Sequence, residues 1–220
     1  MLERYQPIGP IYDDITYSYN TMPQYYSSQC GQDEFVHQIL ERESYGYFID
    51  IGASHPIEYS NSYTLECIGW KGLCFDIEEQ DDFSKIRKSK LIVGNAVDHD
   101  YVDIFTKEKV PNIVEYLSVD VDEDTLNVLE KIPLHDFKFK VITIEHDYYR
   151  FGDKLRERQR ELLNKFGYHL VCSNVDPDCS QQYFFEDWWI NPTFIDVEKC
   201  KRFECHQECY RNIVKRFYEF

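Results

Sequence analysis

A five-residue run, Tyr47-Phe48-Ile49-Asp50-Ile51, followed at once by Gly52-Ala53-Ser54, constrains this chain more than any other stretch. It is rich in aromatic and β-branched residues, interrupted by the one acid Asp50, and a glycine bounds it. So short an apolar run suits a strand buried on both faces of a parallel sheet. Gly52 lets the backbone turn tightly beside a ligand, where a Cβ would obstruct. Ser54, Ser60 and Asn61 are placed to cap a helix over about residues 60–68, which Gly69-Trp70-Lys71-Gly72 ends. Leu73-Cys74-Phe75-Asp76 then reads as a second strand closing on an acid. Together these form half of a nucleotide-binding βαβ unit, with Asp76 placed to accept hydrogen bonds from ribose hydroxyls.

A dinucleotide fingerprint needs three glycines in six residues, so that backbone N–H groups can close on a pyrophosphate. Here Gly52 stands alone before Ala53, Ser54, His55 and Pro56, and no phosphate cradle is evident. An adenosine cofactor without phosphates fits better, and S-adenosylmethionine is the common one. The net charge of −16 argues against nucleic acid, whose phosphates reward a basic surface, and against anionic membranes. The length of 220 residues suits one α/β domain with a short appendage. The N-terminus has no apolar signal core and no run is long enough to span a bilayer. The expectation is a cytoplasmic protein without membrane insertion, its eight cysteines reduced thiols.

Residues 1–27, rich in Tyr and Pro, read as an N-terminal arm. Ser28-Gln29-Cys30-Gly31-Gln32-Asp33 precedes a helix over about 33–42, with Phe35, Val36, Ile39 and Leu40 on one face. Gln29, Gln32 and Asp33 cap that helix or fold over the cofactor. A charged helix is expected over about 78–88, and a third strand over 91–97. Asn95, near its carboxyl end, either reads adenine or serves a turn. Residues 116–120 read as the fourth strand and 140–144 as the fifth. A helix follows at about 125–131 and another at 153–165, then strands at 168–172 and 182–190, the last two pairing as a hairpin. Repeated strand–helix units closed by a hairpin follow the plan of class I methyltransferases: a Rossmann-like, doubly wound sheet of seven mostly parallel strands with one antiparallel strand near the C-terminus.

Two neighbouring strands deliver Asp120, Glu145, His146 and Asp147 to one end of this sheet. Oxygen-rich clusters of this kind hold Mg²⁺ or Mn²⁺. The same groups can instead act without metal, His146 or an acid taking a proton from a substrate hydroxyl, or serve as structural hydrogen-bond partners. Past residue 195 the chain reads as a helical tail, 196–220, rich in cysteine and charge. Cys200, Cys205, His206 and Cys209 match no common zinc spacing, and buried thiols explain them as well.

Several motifs occur in a fixed order: residues 28–33, Phe48-Ile49-Asp50-Ile51-Gly52-Ala53, Tyr59-Ser60-Asn61-Ser62, residues 69–74, Tyr116-Leu117-Ser118-Val119-Asp120 and Ile144-Glu145-His146. In this order the chain resembles, over about 28–195, the FkbM family of S-adenosylmethionine-dependent O-methyltransferases. It departs from the family where Ile77 replaces a proline after Asp76, and where Asp122-Glu123-Asp124-Thr125 replaces a Glu-Gly-x-Glu pattern. The resemblance implies the class I fold, S-adenosylmethionine as methyl donor and a hydroxyl acceptor on a sugar or glycan, with a glycosyltransferase as a conceivable companion. The cofactor contacts expected with it are Gln32, Asp50, Gly52, Ser54, Ser60, Asn61, Asp76, Ile77, Asn95 and Ala96. Asp120, Glu145 and Asp147 are the expected metal ligands, and His146, Asp120 and Asp122 the expected catalytic residues, His146 being the leading base. The rivals are a non-catalytic module that binds S-adenosylmethionine or glycan on the same fold, and a nicotinamide oxidoreductase, against which the lone glycine counts.

Overall fold

A computed structural model describes residues 26–79 and 82–219. The expected N-terminal arm, 1–27, falls outside the described residues except for Tyr26 and Ser27. The strands are β1 (Tyr47–Ile51), β2 (Lys71–Asp76), β3 (Lys90–Val93), β4 (Ile113–Val119), β5 (Lys138–Glu145), β6 (His169–Val175), β7 (Glu186–Ile190) and β8 (Cys205–His206). They join in one sheet in the order β3-β2-β1-β4-β5-β7-β6-β8. β3, β2, β1, β4 and β5 are parallel neighbours, and β7 runs antiparallel to both β5 and β6. The chain reverses at β1, from which β2 and β3 extend to one side and β4 and β5 to the other. Ligands of doubly wound sheets bind at such a switch point, outside the carboxyl ends of the strands.

Alternation along each strand sends side chains into two separate cores. Phe48, Cys74, Tyr116 and Trp188 face one side, where Phe35 and Val36 of α1 (Gln32–Ile39) and Leu65 of α2 (Tyr63–Cys67) meet them. Ile49, Ile51, Phe75, Leu117, Ile142 and Trp189 face the other. There they pack on Tyr101 and Phe105 of α4 (Tyr101–Lys107), Leu129 of α5 (Thr125–Lys131) and Leu163 of α7 (Asp153–Lys165). Burying each such large apolar side chain contributes about 1.5–3 kcal/mol. The tandem Trp188-Trp189 thus fastens both layers to one strand, Trp188 against the Phe35 ring at 4.7 Å between centroids.

Several expectations change in detail. The charged stretch over 78–88 is not one helix: among its described residues only α3 (Phe83–Ile86) is helical. Arg87 is buried beyond it, donating to Ser60, Ser62, Glu66 and the Pro56 carbonyl. The third strand stops at Val93, because Asn95 Oδ1 accepts from the Val97 N–H and turns the chain. α4 was not expected, although Asp100 caps it by accepting from the Asp103 N–H. After β5, α6 (Tyr148–Phe151) forms one short turn before α7.

The tail is not a single helix appended to the domain. It comprises α8 (Val197–Cys200), an eighth strand that adds to the edge of β6, and α9 (Tyr210–Arg216). Ile213, Val214 and Phe217 enter the same core as Phe35. Cys179 and Cys209 form a disulfide, with Cα atoms 4.5 Å apart, which corrects the expectation that all eight cysteines are thiols. It also breaks up the possible zinc set, since Cys209 is covalently committed. Among the described residues, no helix is long and apolar enough to cross a membrane.

Candidate active site

The turn after β1 is held by its neighbours. The Gly52 and Ala53 N–H groups both donate to the Phe75 carbonyl, at 2.9 and 3.0 Å. Gly52 has φ +88°, and a Cβ there would stand 1.7 Å from the Asp120 carbonyl oxygen. The glycine is therefore required by the approach of the loop after β4, a reason the sequence reading had assigned to a ligand. Asp76 accepts from the Ser54 N–H at 2.7 Å and from the Glu78 N–H at 3.1 Å. These two bonds fix the carboxylate at the rim, and lone pairs remain on both oxygens. Ser54 is exposed beside it, and Ile77, two-thirds exposed, offers an apolar surface at the same edge. Asn95 and Ala96 stand beyond β3, with the Asn95 side-chain oxygen already engaged by the turn.

Beneath this rim the polar groups are buried. Asp50 accepts from Ser62 Oγ at 2.5 Å, and burial raises its pKa. Ser60 is used internally, accepting from Arg87 and from the Tyr63 N–H. Asn61 donates to Ser118 Oγ at 2.9 Å, while its own Oδ1 is buried and finds no partner among the described residues. An unpartnered buried acceptor is costly unless a ligand donor completes it. Gln32 is buried at the start of α1, its Oε1 accepting from the Cys30 N–H at 2.8 Å. Gly31, ahead of it, has φ +78°; a Cβ there would stand 2.6 Å from Val214 of α9, so the C-terminal segment backs this loop directly.

The acids gather on the other side of β1. Asp122, Glu145 and Asp147 each bring a carboxylate oxygen within 4.8 Å of the others. Asp122 (φ 50°) and Asp147 (φ 44°) both have left-handed backbone; the Asp147 side chain is buried and that of Asp122 exposed at the rim. The Asp122 N–H donates to Glu145 Oε2 at 3.0 Å. Asp147 Oδ1 is buried without a partner among the described residues. Arg150 donates to Asp147 Oδ2 at 2.7 Å and also to Asp122, so its guanidinium bridges two of the three acids. The expected set is thereby altered. Asp122, rather than Asp120, completes the group with Glu145 and Asp147, and Asp120 is half-buried beside Glu145. Burial, and then the neighbouring Asp120, pushes the Glu145 carboxyl well above the usual carboxylate range. Burial is also the main reason Asp120 rises.

His146 is placed differently from the expectation of a base. Its side chain is fully buried. Nδ1 accepts from the Tyr148 N–H at 3.2 Å, which assigns the ring proton to Nε2, 3.4 Å from Asp187 Oδ1. Asp187 also accepts from Arg160 Nε at 2.7 Å and from the Asn174 N–H at 2.8 Å. Burial works against the charge of Asp187, yet His146 and Arg160 more than offset it and hold the carboxyl far below the usual range. His146 is thus a buried strut without a free lone pair for substrate. The loop before β7 completes the support: the Phe185 carbonyl accepts from the His146 and Asp147 N–H groups, and the Phe184 carbonyl from that of Tyr148. Sequence reasoning singled out residues 183–189 as an aromatic wall against the acceptor or as core, but missed Arg150 and Arg160; a cation within five residues of Glu145 and Asp147 was the signal available for Arg150.

No family model matches the chain, so the likeness to the FkbM family rests on its motifs. No curated protein matches it either. Among solved structures, an O-methyltransferase from Bacillus cereus in complex with SAH aligns with a TM-score of 0.49 at 13% identity, over 77% of this chain and 84% of that one. A Pyrococcus horikoshii protein provisionally assigned as an RNA methyltransferase aligns at 0.46 and 10%, over 74% and 82%. The MycE methyltransferase of mycinamycin biosynthesis, in complex with Mg and SAH, aligns at 0.42 and 11%, over 71% of this chain and 47% of that one. The strand order, the antiparallel β7 and the switch point at β1 identify the fold as that of the class I methyltransferases.

Proposed function

We propose that this chain is an S-adenosylmethionine-dependent O-methyltransferase that methylates a hydroxyl of a sugar or glycan with the help of Mg²⁺ or Mn²⁺. One observation carries the reading. The carboxyl rim runs Asp76, Gly52, Asp120, Glu145 across the adjacent strands β2, β1, β4 and β5, so adenosyl-binding groups and an acid cluster share one edge. Asp76 would hold the ribose hydroxyls and Ile77 would cover the base. Asn61 Oδ1 would accept from the ammonium of the methionine moiety, which completes its missing hydrogen bond. Asp122, Glu145 and Asp147 form an all-oxygen donor set of the kind hard divalent cations take. A cation held there supplies Lewis acidity, lowering the proton affinity of an acceptor hydroxyl.

The chain's remaining work is alignment and proton handling. Transfer forms an oxygen–carbon bond as the carbon–sulfur bond breaks, so holding the three atoms in line supplies much of the acceleration. Asp120, beside Glu145 and between the two halves of the rim, is placed to take the hydroxyl proton. The test combines calorimetry with SAH and mass spectrometry of a glycan panel incubated with S-adenosylmethionine, with and without Mn²⁺. The expected result is SAH binding and a gain of one methylene per modified hydroxyl, lost on chelation and restored by metal. Binding without transfer to any glycan would favour the non-catalytic module, and absence of SAH binding would end the proposal.

A further inference from the structure

Four of the eight cysteines stand along one seam, where the segment 205–210 runs beside residues 172–176. The seam is tightly registered. Gln207 N–H donates to the Ser173 carbonyl at 2.9 Å, Asp176 N–H to the Glu208 carbonyl at 2.9 Å, and Tyr210 N–H to the Asp176 carbonyl at 3.1 Å. Cys172 pairs with Cys205 and Ser173 with His206 in the parallel β6–β8 ladder. The second pair verifies the register, since Ser173 Oγ and His206 Nδ1 are hydrogen-bonded at 2.6 Å. Side chains alternate along a strand, so the Cys172 and Cys205 thiols share the opposite face. Registered strand neighbours are about 4.8 Å apart, inside the range of Cα separations that a disulfide spans. One step along the same seam Cys179 and Cys209 are already joined.

We infer that Cys172 and Cys205 form a second disulfide, so that both cysteines of the 205–210 segment are bonded to the strand and loop beside it. Access favours an order of events. Cys205 is half-buried and Cys172 fully buried against the Phe203 carbonyl, which its Sγ meets at 3.3 Å. A small disulfide oxidant such as glutathione disulfide meets the Cys205 thiolate first, forming a mixed disulfide and releasing one glutathione thiolate. Cys172, deprotonated, then attacks the Cys205 sulfur and releases the second glutathione. Two protein thiols become one disulfide, one glutathione disulfide becomes two thiols, and atoms and electrons balance. The two bonds interleave in sequence, 172 to 205 and 179 to 209, and together they fix α9 behind the Gly31 loop.

Peptide mapping tests this. Trypsin releases residues 166–199, with Cys172 and Cys179, and residues 203–211, with Cys205 and Cys209. In the Cys179→Ser/Cys209→Ser chain equilibrated with glutathione disulfide, these two peptides should remain joined, a link only Cys172 and Cys205 can make. Separate peptides, with Cys172 and Cys205 both alkylated after denaturation, would overturn the inference. Should that variant not fold, the oxidised wild-type chain is cleaved at acidic residues, since Asp176, Asp178 and Glu208 separate the four cysteines. The fragment holding Cys172 should then be joined to the one holding Cys205. Free Cys172 and Cys205 beside an intact Cys179–Cys209 link would refute it equally.

Discussion

Glu34 offers a measurement that isolates one buried charge. It is buried in α1 and accepts a hydrogen bond from Tyr218 OH. Burial pushes its pKa from 4.5 up to about 8, with neighbouring Asp33 adding to the rise and Arg42 opposing it. Tyr26 stays protonated throughout, burial pushing its pKa still higher. A raised carboxyl pKa means that the folded chain binds more protons than the unfolded one between about pH 4.5 and 8. Stability is therefore full below 4.5 and falls as pH rises through that window. About 3.5 pH units at 1.36 kcal/mol each gives an upper bound near ~5 kcal/mol. Glu34→Gln keeps the acceptor for Tyr218 and removes the titration. The variant should match the wild type near pH 5 and exceed it near pH 9 by several kcal/mol, on the order of 10 °C in Tm. The other raised carboxyls titrate in both chains and cancel in the difference. Thermal unfolding of both proteins from pH 5 to 9 supplies the test, and parallel curves would refute the reasoning.

Three further outcomes follow from the site. Gly52→Ala forces a Cβ into the Asp120 carbonyl and strains a left-handed position; urea unfolding should show a loss of about 3 kcal/mol or more, as for other strained or overpacked sites. Arg150→Ala removes the cation that bridges Asp122 and Asp147, so Mn²⁺ affinity read by electron paramagnetic resonance should rise several-fold, whereas a fall would mean that Arg150 supports the cluster rather than competing for it. His146→Ala should lower Tm through the loss of a buried neighbour of Asp187, which keeps Arg160, by the equivalent of about 1.5–3 kcal/mol; an unchanged Tm with a large loss of turnover would restore His146 as the base.

Much of this architecture was legible because parallel strands buried on both faces must be apolar throughout. β1 and α7 occupy the spans their patterns predicted, and β2, β4 and β5 differ only at their ends. Asp76 was legible as well, since a carboxylate closing a strand reaches the rim whatever its neighbours do. Asp122 was expected as a catalytic residue, but its place beside Glu145 and Asp147 was not legible, because it depends on a left-handed backbone that no periodicity encodes. Nor was the buried state of His146, which is set by Asp187 on a strand 41 residues later. The C-terminal segment looked like an appendage because β8 is two residues long and its partner strand is distant in sequence. Gly52 was singled out correctly, yet the atom that requires it belongs to the protein itself.

The contact of Val214 with Gly31 has a consequence for biosynthesis. The loop that carries Gln32 emerges from the ribosome early, but the side chain that backs it is made 183 residues later. A nascent chain bearing every strand through β7 would still present an unsupported loop. That loop therefore gains its backing from Val214 only after α9 is translated.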